Sequence, residues 1–293
     1  MSNSSTNANP ALVFYAGNPV ARALGASLRT LHRLAPAWAT RAALRLFFTP
    51  LPWKFAMRRA VPASWAVETW PFEAATLTAY RRRSPVEPDR PVVLLVHGWA
   101  GGAQQMRTLG DALAEAGFDP VLLDFPAHGR SGGWRSSLPQ FSRAMHAAHA
   151  RLGPLHAVVA HSLGALAALH TAARGLAVER LVLLAPPSPP AMFLRWFAGS
   201  FGLADTVSER MRERIEQREG LPLRQFEPEW LGPRVNQATL VVHDEADRIA
   251  PFVAGQRIAG MLPDARLHAT RGLGHTRVLG DPAVAVAVLR HLL

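Results

Sequence analysis

Leu155–Gly175 reads Leu-His-Ala-Val-Val-Ala-His-Ser-Leu-Gly-Ala-Leu-Ala-Ala-Leu-His-Thr-Ala-Ala-Arg-Gly. Five of its first six residues are apolar, with two β-branched valines after the centre, the pattern of a strand buried on both faces. From Leu163 to Ala173 the composition turns to alanine and leucine, strong helix formers, and Gly175 offers a C-cap. The period changes across His161-Ser162-Leu163, between the small residues Ala160 and Gly164. A serine on a strand-to-helix turn that tolerates only small neighbours has the form of a nucleophile elbow. Ala160 stands where the five-residue pattern usually has its first glycine. The bland alternative is an ordinary buried strand running into an alanine-rich helix, and the elbow alone does not exclude it.

Outward from this stretch the chain alternates strand and helix. Val92–Val96, Asp119–Leu123, Val178–Leu184, Thr239–Val242 and Ala265–Ala269 read as further strands. Helices are expected over Gln104–Glu115, Leu138–Leu152 and Ala283–Leu292. Strands separated by single helices mean βαβ units and a mostly parallel sheet. Trp65–Trp70 and Ala75–Arg81 alternate more loosely around Pro71-Phe72-Glu73 and predict two antiparallel edge strands. Residues 1–10 are polar and expected to be disordered, and 84–91 reads as a proline-rich loop.

Residues 186–233 interrupt the alternation and are too long for a plain connection. They hold a proline-rich start, an aromatic piece with Phe193, Trp196, Phe197 and Phe201, and a charged helix over Ser208–Glu219. We expect a helical cap laid over the strand ends. The domain organisation is then a helical N-terminal extension over 1–64, an α/β core over 65–185 and 234–293, and the cap over 186–233.

Composition bounds the chemistry. The 293 residues contain no cysteine, which excludes disulfides, thiolate metal sites and a cysteine nucleophile. The net charge of +11 is unevenly placed: residues 1–67 carry seven arginines and Lys54 but no acid, leaving +3 for the rest. Charge confined to one arm on a near-neutral body argues against a nucleic-acid partner. On a helical wheel Arg22, Arg29 and Arg33 oppose Val20, Leu24, Leu28, Leu31 and Leu34, so 20–34 is an amphipathic basic helix ending near Pro36. Its stripe is expected to pack on the protein body with its arginines solvated. Peripheral contact with an anionic membrane surface is the alternative, and an arginine-rich transit peptide a third reading. No run of about 18 apolar residues marks a membrane span, and Ala11–Ala16 is too short for a signal-peptide core. We therefore expect a cytoplasmic protein, at most peripheral to the membrane.

Four stretches at strand ends complete the pattern. His97-Gly98-Trp99-Ala100-Gly101-Gly102 follows the strand Val92–Val96, where glycines let backbone amides turn inward. Asp124-Phe125-Pro126-Ala127-His128-Gly129 follows the next strand and is expected to shape the site. Asp124 and His128 are a rival acid–base pair, but both precede Ser162 in the chain. His243-Asp244-Glu245-Ala246-Asp247 and Gly272-Leu273-Gly274-His275 end the last two strands. Serine, acid, histidine is the chain order of one triad architecture. A serine hydroxyl is a poor nucleophile until a histidine takes its proton, and that histidine needs a carboxylate to fix its tautomer. His146 and His149 lie three apart on a helix without a third ligand, so no metal site is expected.

On these residues the chain resembles the α/β-hydrolase superfamily, over roughly Val92–Leu293, with departures only at Ala160 and Ala127. The resemblance implies an α/β fold with a mostly parallel central sheet, helices on both faces and a helical cap. It also implies Ser162 as nucleophile, His275 as general base and acid, and Asp247 rather than Asp244 as orienting acid. The oxyanion hole would be the backbone N–H groups of Trp99 and Leu163. His97, Gly98, His128, His161, Trp196 and Phe197 are expected to contact substrate. The activity implied is cofactor-independent, metal-free hydrolysis of a carboxylic ester through an acyl-enzyme. The same triad also serves thioesterases, amidases, carbon–carbon hydrolases and acyltransferases. The aromatic piece suggests an apolar small-molecule ester or thioester. Dehalogenase and epoxide hydrolase chemistry is disfavoured, because those relatives carry aspartate at the elbow. A non-catalytic binding protein on the same fold is the alternative from another class.

Overall fold

The computed structural model describes residues 19–50, 60–83 and 90–293; the expectations for residues 1–10 and for most of the 84–91 loop lie outside them. The strands are β1 (Trp65–Phe72), β2 (Ala75–Arg82), β3 (Val92–Val96), β4 (Asp119–Asp124), β5 (Leu155–His161), β6 (Val178–Leu184), β7 (Ala238–Asp244) and β8 (Ala265–Thr270). The principal helices are α1 (Pro19–Leu34), α2 (Pro36–Phe47), α3 (Arg107–Glu115), α4 (Leu138–Leu152), α5 (Leu163–Ala173), α6 (Pro190–Ser200), α7 (Asp205–Glu219), α8 (Phe252–Met261) and α9 (Pro282–Leu292). Two compact units result. One comprises Phe48–Pro187 and Arg224–Leu293; the other joins the segment ending at Phe47 to Ser188–Leu223.

The larger unit is built on one eight-stranded sheet in the order β1-β2-β4-β3-β5-β6-β7-β8. β1 and β2 are antiparallel to their neighbours, and every pairing from β4 to β8 is parallel. The apolar runs explain the central strands: Leu95, Val159, Val182 and Val242 are fully buried in one cluster that helices close off. Burying each such side chain is worth about 1.5–3 kcal/mol. β1 continues through Pro71, which pairs with Thr76. As the outermost strand it loses little from proline's missing N–H.

Register carries the consequence for function. Val96 sits opposite Ala160, Ala160 opposite Leu183, and Asp244 opposite Thr270. The carboxyl ends of β3, β5, β7 and β8 therefore open on the same edge of the sheet, where open α/β sheets place their ligands. α8 was not expected from sequence. Its Phe-Val-Ala-Gly-Gln-Arg-Ile-Ala-Gly-Met contains two poor helix formers, Gly255 and Gly260.

The smaller unit is helical. α1 packs on α2, α2 on α7, and α6 on α7. Phe197 is its aromatic centre, 2 % exposed and edge-on to Phe47 at 5.3 Å and Phe201 at 4.9 Å. Arg29 donates to the Phe201 carbonyl at 2.8 Å, tying α1 to the end of α6. Among the described residues, no helix is long and apolar enough to cross a membrane.

Candidate active site

Ser162 is the N-cap of α5, at φ 52° and ψ −125°. A non-glycine residue there is strained, at a cost on the order of 1–3 kcal/mol. The fold over-determines the position: the Ser162 N–H donates to Leu184 O at 2.9 Å, and Ser162 O accepts from Ala165 N at 2.8 Å. Space around it explains the small residues. A Cβ on Gly98 would stand 2.6 Å from Ser162 Cβ, and one on Gly164 would stand 2.5 Å from the His97 carbonyl oxygen. Ala160, by contrast, is a fully buried strand residue in regular pairing, so its methyl is accommodated.

His275 arrives on the turn after β8. Its Nε2 lies 3.0 Å from Ser162 Oγ and its Nδ1 lies 2.7 Å from Asp247 Oδ2. The carboxylate can only accept, so Nδ1 carries the proton and Nε2 is left to accept from the serine hydroxyl. Asp247 Oδ1 accepts from the amides of Ile249 and Ala250 at 2.8 and 2.9 Å. Burial pushes the Asp247 carboxyl up, but the hydrogen bonds from His243, His275 and the Ala250 amide outweigh it and hold the group well below the usual carboxylate range.

Two residues that received no role from sequence complete the acid side. His243 is wholly buried; its Nε2–H donates to Ala250 O at 2.9 Å and lies 3.6 Å from Asp247 Oδ2, a second histidine on that oxygen. Asp244, also fully buried, accepts from Ala246 N, Thr270 Oγ1 and Leu273 N at 2.9–3.0 Å. It therefore braces the turn that presents His275, and Asp247 alone takes the bond to the imidazole. The signal for both lay in the sequence as polar residues at a buried strand end, but only the fold shows their partners.

The histidines expected to touch substrate are committed to the backbone. Phe125 N–H donates to His97 Nε2 at 3.1 Å, so Nδ1 holds the proton and donates to Gly98 O at 2.7 Å. Ala100 N–H donates to His128 Nε2 at 3.1 Å, and His128 Nδ1–H donates to Pro126 O at 2.8 Å. Both rings are buried, and they fix the loop carrying Gly98 and Trp99. Asp124 is spent in the same way, on Tyr80 Oη, Ala103 N and Arg130 N at 2.7–2.9 Å. His161 points its Nε2–H at the His275 carbonyl, 2.9 Å away, with the two rings 4.7 Å apart. Trp99 and Leu163 are partly exposed, and no hydrogen bond among the described residues engages their amides. Trp196 and Phe197 belong to α6 of the smaller unit.

Burial drives the His97 imidazole down, His161 down to about 3 with help from His275, and His170 down to about 4. Each stays neutral in the fold and takes up a proton on unfolding below its ordinary value of 6.5. Stability is thus complete above that pH and lost as pH falls toward the folded values, by up to about 1.4 kcal/mol per pH unit for each group. We expect a Tm that is flat near neutrality and drops steeply between about pH 6 and 4. In His161→Gln, whose amide can still donate to His275 O, the slope of unfolding free energy against pH should shrink by about one proton. An unchanged slope would show that His161 titrates normally in the fold.

A family model described as the alpha/beta hydrolase fold matches residues 91–267, more than half of the chain. The protein belongs to the α/β-hydrolase fold family. The match takes in Ser162 and Asp247 and stops before His275, which joins them on geometry. No curated protein matches the sequence. Among solved structures it is similar to a hydrolase from Pseudomonas aeruginosa (19 % identity, 77 % of this chain and 98 % of that one, TM-score 0.61). It is also similar to an esterase from Pyrococcus furiosus (15 %, 80 % and 96 %, 0.60) and to the thioesterase domain from the curacin biosynthetic pathway (20 %, 78 % and 99 %, 0.58). At these identities the likeness is one of fold.

Proposed function

We propose that the protein is a serine hydrolase that cleaves small carboxylic esters through a covalent acyl-enzyme. The observation that carries this reading is the unbroken chain from Ser162 Oγ to His275 Nε2 (3.0 Å) and from His275 Nδ1 to Asp247 Oδ2 (2.7 Å). Ser162 Oγ attacks the ester carbonyl carbon as its proton passes to His275 Nε2. Asp247, held ionised, stabilises the imidazolium. The oxyanion is received by the amides of Trp99 and Leu163, both without a partner among the described residues. Collapse of the tetrahedral adduct breaks the bond to the leaving oxygen, which takes the proton from His275 and departs as the alcohol. Water, deprotonated by the same imidazole, then attacks the acyl-Ser162 ester, and the bond to Ser162 Oγ breaks as that oxygen takes the proton back from His275, releasing the acid. No step calls for a metal or cofactor.

A thiol can leave in place of an alcohol, and the fold is shared with both an esterase and a thioesterase domain. A panel of aryl esters and acyl thioesters of matched chain length separates the two classes by kcat/KM. The reading itself is checked with a fluorophosphonate probe and intact-mass spectrometry. One adduct per chain, mapped to Ser162 and not formed when the protein is heat-unfolded before the probe is added, is expected; folded protein that stays unlabelled points instead to a binding protein on this fold.

A further inference from the structure

The apolar stripe of helix α1 is only partly used in packing: Leu28 is buried and Leu31 half-buried. Val20, Leu24, Ser27, Leu31 and Leu34 follow one another at intervals of four and three residues, so they line one side of the helix. Yet Val20 is 62 % exposed, Leu24 39 % and Leu34 80 %. The helix docks within its own unit by the flank of that stripe. Leu28 and Gly25 are its buried residues, a Cβ on Gly25 would come 3.2 Å from the Phe201 carbonyl oxygen, and Arg29 donates to that same oxygen. Of the stripe expected to pack inward, Leu28 does so, whereas Val20, Leu24 and Leu34 are exposed. The close approach at Gly25 sets the rotation of α1, and Val20, Leu24 and Leu34 are left exposed.

α2 repeats the arrangement. Ala39, Thr40 and Ala43 are buried, while Trp38 (62 % exposed), Arg41 and Arg45 share the opposite side, with the Arg41 guanidinium 5.1 Å from the Trp38 ring centroid. Leu34 and Trp38 flank the corner between the helices, where Ala35 O accepts from both Trp38 N and Ala39 N. Residues 19–47 carry five arginines and no acid, whereas the 188–223 segment they pack with has five arginines against five acids. The excess positive charge thus lies on the helices that expose leucine and tryptophan.

From this we infer that α1 and α2 form a docking surface for an anionic phospholipid bilayer, lying in the interface with Val20, Leu24, Leu34 and Trp38 inserted and the arginines at headgroup level. The combination selects the occupant. Exposed leucine and tryptophan beside acid-free arginine fit the boundary between acyl chains and anionic headgroups. A second copy would bring two like-charged faces together, and a nucleic-acid backbone has no use for an apolar centre. The inference is independent of the hydrolytic reading, since none of these residues belongs to the Ser162 site.

The test is cosedimentation of the full-length protein with vesicles of phosphatidylcholine alone, or of phosphatidylcholine and phosphatidylglycerol in equal parts. Binding to the mixed vesicles only, weakening as salt is raised, is expected. Leu34→Glu and Trp38→Glu should each weaken partitioning by about tenfold or more. Both positions are solvent-exposed, so the melting temperature should hardly move; the milder Leu34→Ser covers the case in which a glutamate variant misfolds. No binding to anionic vesicles at low salt overturns the inference, as does equal binding to both lipids or undiminished binding by the folded variants. A dimer by light scattering that Leu34→Ser dissociates would make a second copy the occupant and equally overturn it.

Discussion

Ser162→Ala is expected to lower kcat on an aryl ester by about 10⁴-fold or more while leaving the fold intact. The substitution removes the atom that hydrogen-bonds His275 Nε2 and that, on the proposed mechanism, accepts the acyl group. Without it, what remains is polarisation of the carbonyl by the oxyanion amides and binding itself, which in hydrolases of this logic retain a rate about 10³–10⁴-fold above that of water. Stability should scarcely change. Alanine keeps the Cβ and hence the same strain at φ 52°, and the chain already holds Ala100, Ala127 and Ala185 at positive φ. The elbow is held by backbone bonds to Leu184 and Ala165 that do not use the hydroxyl. The measurements are kcat/KM and Tm on the same preparation. A variant that melts like wild type and keeps more than a tenth of its activity would remove Ser162 from the chemistry.

The elbow was legible in sequence because its signals are local: a buried strand gives the apolar run Ala157–Ala160, and the change to helical composition marks Ser162 within a residue. The chain order of Ser162, Asp247 and His275 was legible for a similar reason, since parallel strands deliver successive loops to the same edge. What sequence could not reach depended on partners far along the chain. Polarity at the strand ends suggested His97 and His128 as substrate contacts, yet their ring nitrogens are consumed by amides and carbonyls of Gly98, Ala100, Phe125 and Pro126. Periodicity assigned one inward face to α1, of which Leu28 is buried while Val20, Leu24 and Leu34 are not, because the fit of Gly25 against Phe201, a contact more than 170 residues away in sequence, turns the helix. The association of α1 and α2 with 188–223 is equally non-local. Helix α8 was hidden by its two glycines, whose poor propensity is overridden by tertiary packing.

Asp244 and Asp247 sit three residues apart on one turn, and replacing each by asparagine should separate two kinds of failure. Asp247→Asn is expected to lower kcat by about 10³–10⁴-fold with a modest change in Tm. An amide can present its NH₂ toward the imidazole, which then turns its lone pair to the asparagine and its proton toward Ser162, the wrong tautomer for accepting the serine proton. His243 adds to the effect, because its Nε2–H also lies near Oδ2 and would no longer face an anion. Asp244→Asn acts differently. Its carboxylate accepts three bonds from Ala246, Thr270 and Leu273 and touches neither Ser162 nor the His275 ring. Burial raises that carboxyl, but the bond from Leu273 and its companions outweighs it and keeps the group ionised below the usual range. The amide satisfies these donors less well, and one left unpaired in the interior costs about 1–3 kcal/mol. The expected result is a lower Tm and a loosened His275 turn, seen as a kcat loss that is smaller than in Asp247→Asn and partly recovered on cooling. If instead Asp244→Asn abolished turnover at full stability while Asp247→Asn stayed active, the carboxylate that orients His275 during the reaction would be Asp244, and the bond drawn at 2.7 Å would belong to the resting state only.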